Sequence, residues 1–201
     1  MATRAKRQDA MTTHYIDITL LPDPEFSHAH LLGALVAKLH RALVQGQTTD
    51  IGVSYPQHVS QPLTKRSLGA VLRLHGTPEA LQRLMEQDWL KGMRDHTQAG
   101  ELLPVPAHAQ HRTVSRRQFK TNADRLRRRR MQRKGETAEQ AAAAIPDAVE
   151  RRPDLPFVQL RSSSTGQPFC LCVEHGPLQL QPAAGAFNAY GLGHQATVPW
   201  F

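Results

Sequence analysis

The sequence predicts an α+β fold, and three observations predict it. Over the first hundred residues the apolar pattern switches from alternation to helical spacing and back, twice. Prolines and polar residues around 104–111 then break the pattern. Beyond them, an arginine-rich segment with helix signals precedes two short apolar stretches and a glycine-rich end. With 201 residues there is room for one large domain or two small ones. The division expected is an N-terminal arm over 1–12, a domain over 13–106 and a second α/β region over 107–201.

Tyr15–Leu20 alternates, with Ile16, Ile18 and Leu20 on one face, and reads as a strand. Ser27 then caps a helix over His28–Val44, whose stripe is Leu31, Leu32, Leu35, Leu39 and Leu43, and Gly46 ends it. IGVSY (51–55) and AVLRLHG (70–76) read as two further strands. Thr77-Pro78-Glu79 is a helix start, with a cap, a first-turn proline and an early acid. That helix should carry Leu81, Leu84, Met85 and Trp89 to a core, and a last strand falls within 98–106. The order β-α-β-β-α-β is a ferredoxin-like (RRM-like) arrangement.

In the second region HRTVSRRQF reads as extended. Asn122-Ala123-Asp124 offers a cap and a first-turn acid for a helix through RLRRRRMQRK (125–134), which Gly135 closes. Thr137 and Gln140 form a capping box for a short alanine-rich helix ending before Pro146. FVQLR and PFCLCVEH read as strands around SSSTGQ.

Charge is concentrated. Between Arg116 and Lys134 stand ten Lys/Arg against Asp124 alone, a net +9 in a chain whose total is +8. The remainder is almost neutral, so the basicity belongs to one segment and points to a polyanionic partner. Arginine is a good helix former, but like charges four residues apart repel, so this helix is poorly stable alone and gains stability against phosphates. No apolar run reaches the roughly 18 residues of a membrane span, and the basic N-terminus lacks the apolar core of a secretory signal. Residues 1–11 read as a solvated arm, or as lying upstream of a start at Met11. Cys170 and Cys172 fit neither a redox motif nor a zinc framework; they read as reduced, packed thiols of a cytoplasmic protein. His28 and His30 lack further ligands at useful spacing, so no metal site and no cofactor are expected.

Individually the chemistry-bearing residues are weak signals. On a strand, Arg116 and Gln118 would point the same way, and Arg and Gln can read guanine and adenine edges. His40 lies at the flank of a helix's apolar stripe. Ser162-Ser163-Ser164-Thr165-Gly166-Gln167 is a hydroxyl-rich turn. No G-x-S-x-G elbow, phosphate loop or carboxylate cluster for two-metal chemistry is present.

Taken together, HYIDITLLPDPEF, KLHRALV, IGVSYP, SRRQFKTN with RLRRRRMQRK, LPFVQLRSSSTGQPF, HGPL, YGLG and VPWF closely resemble the CRISPR repeat-processing endoribonuclease of subtype I-F, from about residue 13 to the end. The resemblance implies a ferredoxin-like domain joined to a region whose arginine-rich helix enters the major groove of a repeat hairpin. An A-form major groove is normally too deep to read, but it opens near the end of a short stem. By position the helix contacts fall on Arg125, Arg128, Arg129 and Arg133. Gln132 replaces a usual arginine and Lys134 a usual histidine, which shifts phosphate contacts toward Arg130; Asn122 joins this RNA-binding set. The base-reading pair falls on Arg116 and Gln118, and the aromatic stacking on the terminal base pair falls on Phe169.

The same resemblance implies a catalytic His40, Ser162 and Tyr190, and a metal-free reaction in which a ribose 2′-OH attacks the adjacent phosphorus. The products are a 2′,3′-cyclic phosphate and a 5′-OH. Imidazole is a largely neutral base near pH 7, which suits the task. Ser162 would hold the 2′-OH in line, with Ser164 a second candidate for that contact. The partners implied are the repeat hairpin of precursor and mature CRISPR RNA and other CRISPR-associated subunits of a type I-F surveillance complex, with no membrane. A catalytically silent hairpin-binding subunit is the alternative reading.

Overall fold

The computed structural model describes residues 12–60, 66–119, 123–146 and 154–201. The expectations placed on residues 1–11 and on Asn122 lie outside them. The chain divides into two compact units, one of residues up to Arg116 with Leu155–Phe201, the other Arg117–Asp154. Among the described residues no helix is long and apolar enough to cross a membrane.

The first unit is mixed α and β with antiparallel sheets. Its first sheet follows the order β2-β3-β1-β4, from β1 (His14–Leu20), β2 (Gly52–Ser54), β3 (Val71–Gly76) and β4 (Thr97–Ala99). β5 (Leu103–Pro104) pairs further along the same edge of β1, so the expected last strand is two short pieces. Between them the Gly100 N–H donates to the Asp17 carbonyl at 2.7 Å. α1 (His28–Gln45) is capped by Ser27, whose side chain accepts from the His30 N–H, and α2 (Pro78–Met85) by Thr77, which accepts from the Ala80 N–H.

The core is the one the alternation implies. Ile16, Ile18 and Leu20 of β1 and Leu72 and Leu74 of β3 are buried with Leu31, Leu35 and Leu39 of α1 and Leu81 and Leu84 of α2. Trp89 is buried too, but not from a helix. α2 stops at Met85, and Asp88 at φ 49° turns the chain instead.

The second sheet runs β7-β8-β6-β9, from β6 (Gln110–Arg117), β7 (Phe157–Arg161), β8 (Pro168–His175) and β9 (Thr197–Trp200). β9 contains Pro199, which has no N–H to give; as an edge strand paired with β6 it tolerates one. Leu171 and Val173 of β8 join the core, while the cysteines take the other face. That face is covered at Cys172 and open at Cys170, so only one of the two thiols is packed.

The second unit holds α3 (Ala123–Lys134) and α4 (Ala138–Ala144), which pack on each other. Gly135, at φ +66°, ends α3 by donating its N–H to the Met131 carbonyl, a left-handed cap that a side chain would strain. α4 opens with the full Thr137–Gln140 capping box.

Candidate active site

The first unit carries a cavity of about 470 Å³ lined by residues of α1, the end of β6, the β7–β8 turn and the 187–192 loop. A glycine lets α1 reach β7. A Cβ at Gly33 would lie 2.8 Å from the Gln159 carbonyl oxygen, so only glycine permits this approach. His40 is seven residues further along the same helix face, about 10 Å. Ser162 is three residues beyond Gln159, again about 10 Å along an extended strand. Helix and strand thus deliver His40 and Ser162 to one cavity.

His40 is held from two sides. Its Nδ1 lies 2.7 Å from the Ala189 carbonyl oxygen. A carbonyl only accepts, so Nδ1 carries the hydrogen, and the neutral ring keeps its lone pair on Nε2. The ring stacks on Tyr190 with centroids 4.1 Å apart and planes 8° from parallel. The loop bearing Ala189 and Tyr190 is built by Asn188, whose Oδ1 accepts from the Tyr190 and Leu192 N–H groups. Gly191 at φ +69° completes it, and its carbonyl accepts from the Val53 N–H at 2.7 Å. A Cβ there would strike the Val53 side chain. Partial burial raises the Tyr190 hydroxyl above its ordinary value, against the opposing pull of Arg116.

On the facing turn, the Ser162 N–H donates to the Gln167 carbonyl and its carbonyl accepts from the Gly166 N–H. Ser162 Oγ and Ser164 Oγ are 3.1 Å apart, and Oγ of Ser162 accepts from the Thr165 N–H. The two hydroxyls act as one polar unit. Arg116, at the end of β6, lies with its guanidinium carbon 5.7 Å from the Phe169 ring centre and 5.8 Å from that of Tyr190. Its Nε is buried without a hydrogen-bond partner among the described residues. β6 ends at Arg117, so Gln118 falls outside the strand whose alternation was to align it with Arg116, and it is exposed.

In the second unit α3 sorts its arginines by face. Arg127 donates to the Ile145 carbonyl and reaches Asp124, while Arg130 makes a two-pronged pair with Glu136. That pair lowers the Glu136 carboxyl and raises the Arg130 guanidinium. Arg125, Arg128, Arg129, Arg133 and Lys134 are exposed. The helix is therefore two-sided: Ala123, Leu126, Arg127, Arg130 and Met131 form the less exposed face, and the spacing is that of a helix stripe.

Residues 15–201 match the family described as CRISPR-associated protein (Cas_Csy4). The chain belongs to this family. It is 48% identical over 188 residues to "CRISPR-associated endonuclease Cas6/Csy4" of Pseudomonas aeruginosa (strain UCBPP-PA14), across 94% of this chain and 99% of that protein. It is 45% identical, with the same coverage, to the protein of that name from Escherichia coli (strain UTI89 / UPEC). A solved structure titled "An RAMP protein binding different RNA substrates" aligns over 94% of this chain and 100% of that one at 11% identity and TM-score 0.34.

Within this Cas_Csy4 member, His40, Ser162, Tyr190, Arg116 and Phe169 line one cavity, although they come from four separate stretches of sequence. Sequence reasoning overlooked the Ala189 carbonyl that fixes the imidazole. The signal was there: Asn-Ala-Tyr-Gly (188–191) is an Asn-led turn with glycine at its left-handed position. It also passed over Arg41 and Arg161, which line the same cavity. Among the described residues no group of three or more His, Cys, Asp or Glu could hold a metal ion.

Proposed function

We propose that this chain is a metal-independent endoribonuclease that binds the CRISPR repeat hairpin, cuts precursor CRISPR RNA once per repeat and stays on its product. The observation that carries the reading is the His40 Nδ1–H bond to the Ala189 carbonyl, which leaves Nε2 as the base in the cavity shared with Ser162. His40 takes the proton of the ribose 2′-OH. The 2′-oxygen bonds to the adjacent phosphorus, the bond to the 5′-oxygen breaks, and that oxygen takes a proton from water. The Ser162–Ser164 hydroxyl pair holds the 2′-OH in line.

Residues 13–106 serve as the ferredoxin-like part and 107–201 as the RNA-binding part, a functional division rather than a division into separate cores. The exposed face of α3, with Arg125, Arg128, Arg129, Arg133 and Lys134, meets hairpin phosphates; Arg130 joins it only by exchanging Glu136 for phosphate. Arg116 with Gln118 reads base edges, Asn122 contributes a further contact, and Phe169 stacks on the end of the stem. Other CRISPR-associated subunits of a type I-F complex are the remaining partners, in the cytoplasm.

The test is cleavage of the repeat hairpin from the chain's own locus, in EDTA. His40→Ala should abolish cutting and leave hairpin binding within about threefold, since a positioned base contributes ~10²–10⁴ in rate. A 2′-deoxy nucleotide at the cut should give bound, uncut RNA. Binding without cutting by the wild-type protein would instead favour a catalytically silent subunit, and a need for added magnesium would overturn the metal-free route.

A further inference from the structure

We infer that Arg41 and Arg161 form a guanidinium clamp on the scissile phosphate, stabilising the charge that builds on its non-bridging oxygens as the 2′-oxygen attacks. The inference deepens the proposed endonuclease reading and rests on it.

The placement is local to the chemistry. Arg41 follows His40 on α1, and Arg161 is the last residue of β7, directly before Ser162; both line the cavity. One flanks the base and the other flanks the hydroxyl that orients the nucleophile. Neither has a hydrogen bond or ion pair among the described residues, and both are exposed. That sets them apart from other arginines of the unit, since Arg73 is committed to Asp17, Arg83 to Asp50 and Arg94 to Asp88. The cavity wall holds no carboxylate, so nothing in it neutralises them.

The chemistry calls for such groups. Attack on phosphorus passes through a five-coordinate species with an extra negative charge spread over the non-bridging oxygens. His40 and the serine hydroxyls serve the 2′-oxygen and leave that charge unmet. A guanidinium presents paired donors to two phosphate oxygens, and charge-assisted bonds of this kind strengthen as the charge grows.

The experiment measures single-turnover cutting of the locus's own repeat hairpin at saturating protein. Affinity is measured in parallel on the same hairpin with a 2′-deoxy nucleotide at the cut. Arg41→Gln and Arg161→Gln should each slow cutting by about 10²-fold while changing affinity less than about threefold. Arg161→Lys should recover part of the rate, because it keeps the charge and loses the fork. Sulfur in place of one non-bridging oxygen should slow the wild type and add no further slowing in the Gln variants. Both Gln variants cutting at the wild-type rate, or a rate loss fully matched by lost affinity, would overturn the clamp. If those variants cut normally while His40→Ala is inert, only the clamp falls; if His40→Ala also cuts normally, the proposed function falls with it.

Discussion

A single imidazole carries the proposed chemistry, and what surrounds it determines which nitrogen can act. The Ala189 carbonyl fixes the tautomer of His40, and the Tyr190 ring fixes its plane. These are separable. Tyr190→Phe keeps the stacked ring, so cutting should stay within about threefold of wild type. Tyr190→Ala removes a stack worth ~0.5–1.5 kcal/mol and should slow cutting on the order of tenfold, with hairpin affinity nearly unchanged. Equal losses in the two variants would mean that the hydroxyl, rather than the ring, does the work. Single-turnover rates distinguish them.

Between elements, the decisive feature is the close approach of α1 to β7. Gly33→Ala puts a Cβ against the Gln159 carbonyl, a backbone atom that cannot swing away. The helix must lift, at a cost of about 1–3 kcal/mol, and His40 moves away from Ser162 because both hang from the same two elements. Urea denaturation should show the stability loss, and cutting should fall further than binding; unchanged cutting in a destabilised protein would dissociate the glycine from the site. Most of this scaffold was legible in the sequence, because Ser27, Thr77 and the Thr137–Gln140 box start helices by local hydrogen bonds, and alternation identifies β1. What escaped was non-local or masked by a breaker. β9 escaped because Pro199 lies inside it, and Trp89 lies beyond a helix that stops at Met85, after the turn at Asp88. The residues that the family resemblance singled out include His40, Arg116, Ser162, Phe169 and Tyr190, which line the cavity. The carbonyl that orients His40 lies 149 residues away in sequence, and no periodicity reports on that.

Over the whole molecule, the fold holds four imidazoles below their ordinary value: His58, His75, His111 and His175. His75 is fully buried between β2 and β1, its Nε2 2.8 Å from Ser54 Oγ and its Nδ1 unpartnered among the described residues. Burial, with Arg73 and His111 nearby, depresses it to about 3. His175 stacks on His58 with centroids 3.6 Å apart beside Trp200, and burial, His58 and Arg112 depress it to about 3 as well. His58 and His111 are shifted the same way, chiefly by burial. Unfolded, each of these would bind a proton near the ordinary ~6.5. Between that value and about 3 the unfolded chain therefore holds protons that the folded chain refuses. Their stabilising effect is complete above pH ~6.5 and is lost as the pH falls. The depressed carboxyls of Asp23, Glu79 and Glu136 act in the same direction but only at lower pH, since the ordinary carboxyl values are 3.8 for Asp and 4.5 for Glu. The interval from about pH 6 to 5 thus isolates the histidines. There the unfolding free energy should drop as the pH falls, by about 1 kcal/mol per pH unit for each of His75 and His175. Urea titrations at pH 6.0, 5.5 and 5.0 read that slope directly, and a flat response would mean that the buried imidazoles find protons without the fold giving way.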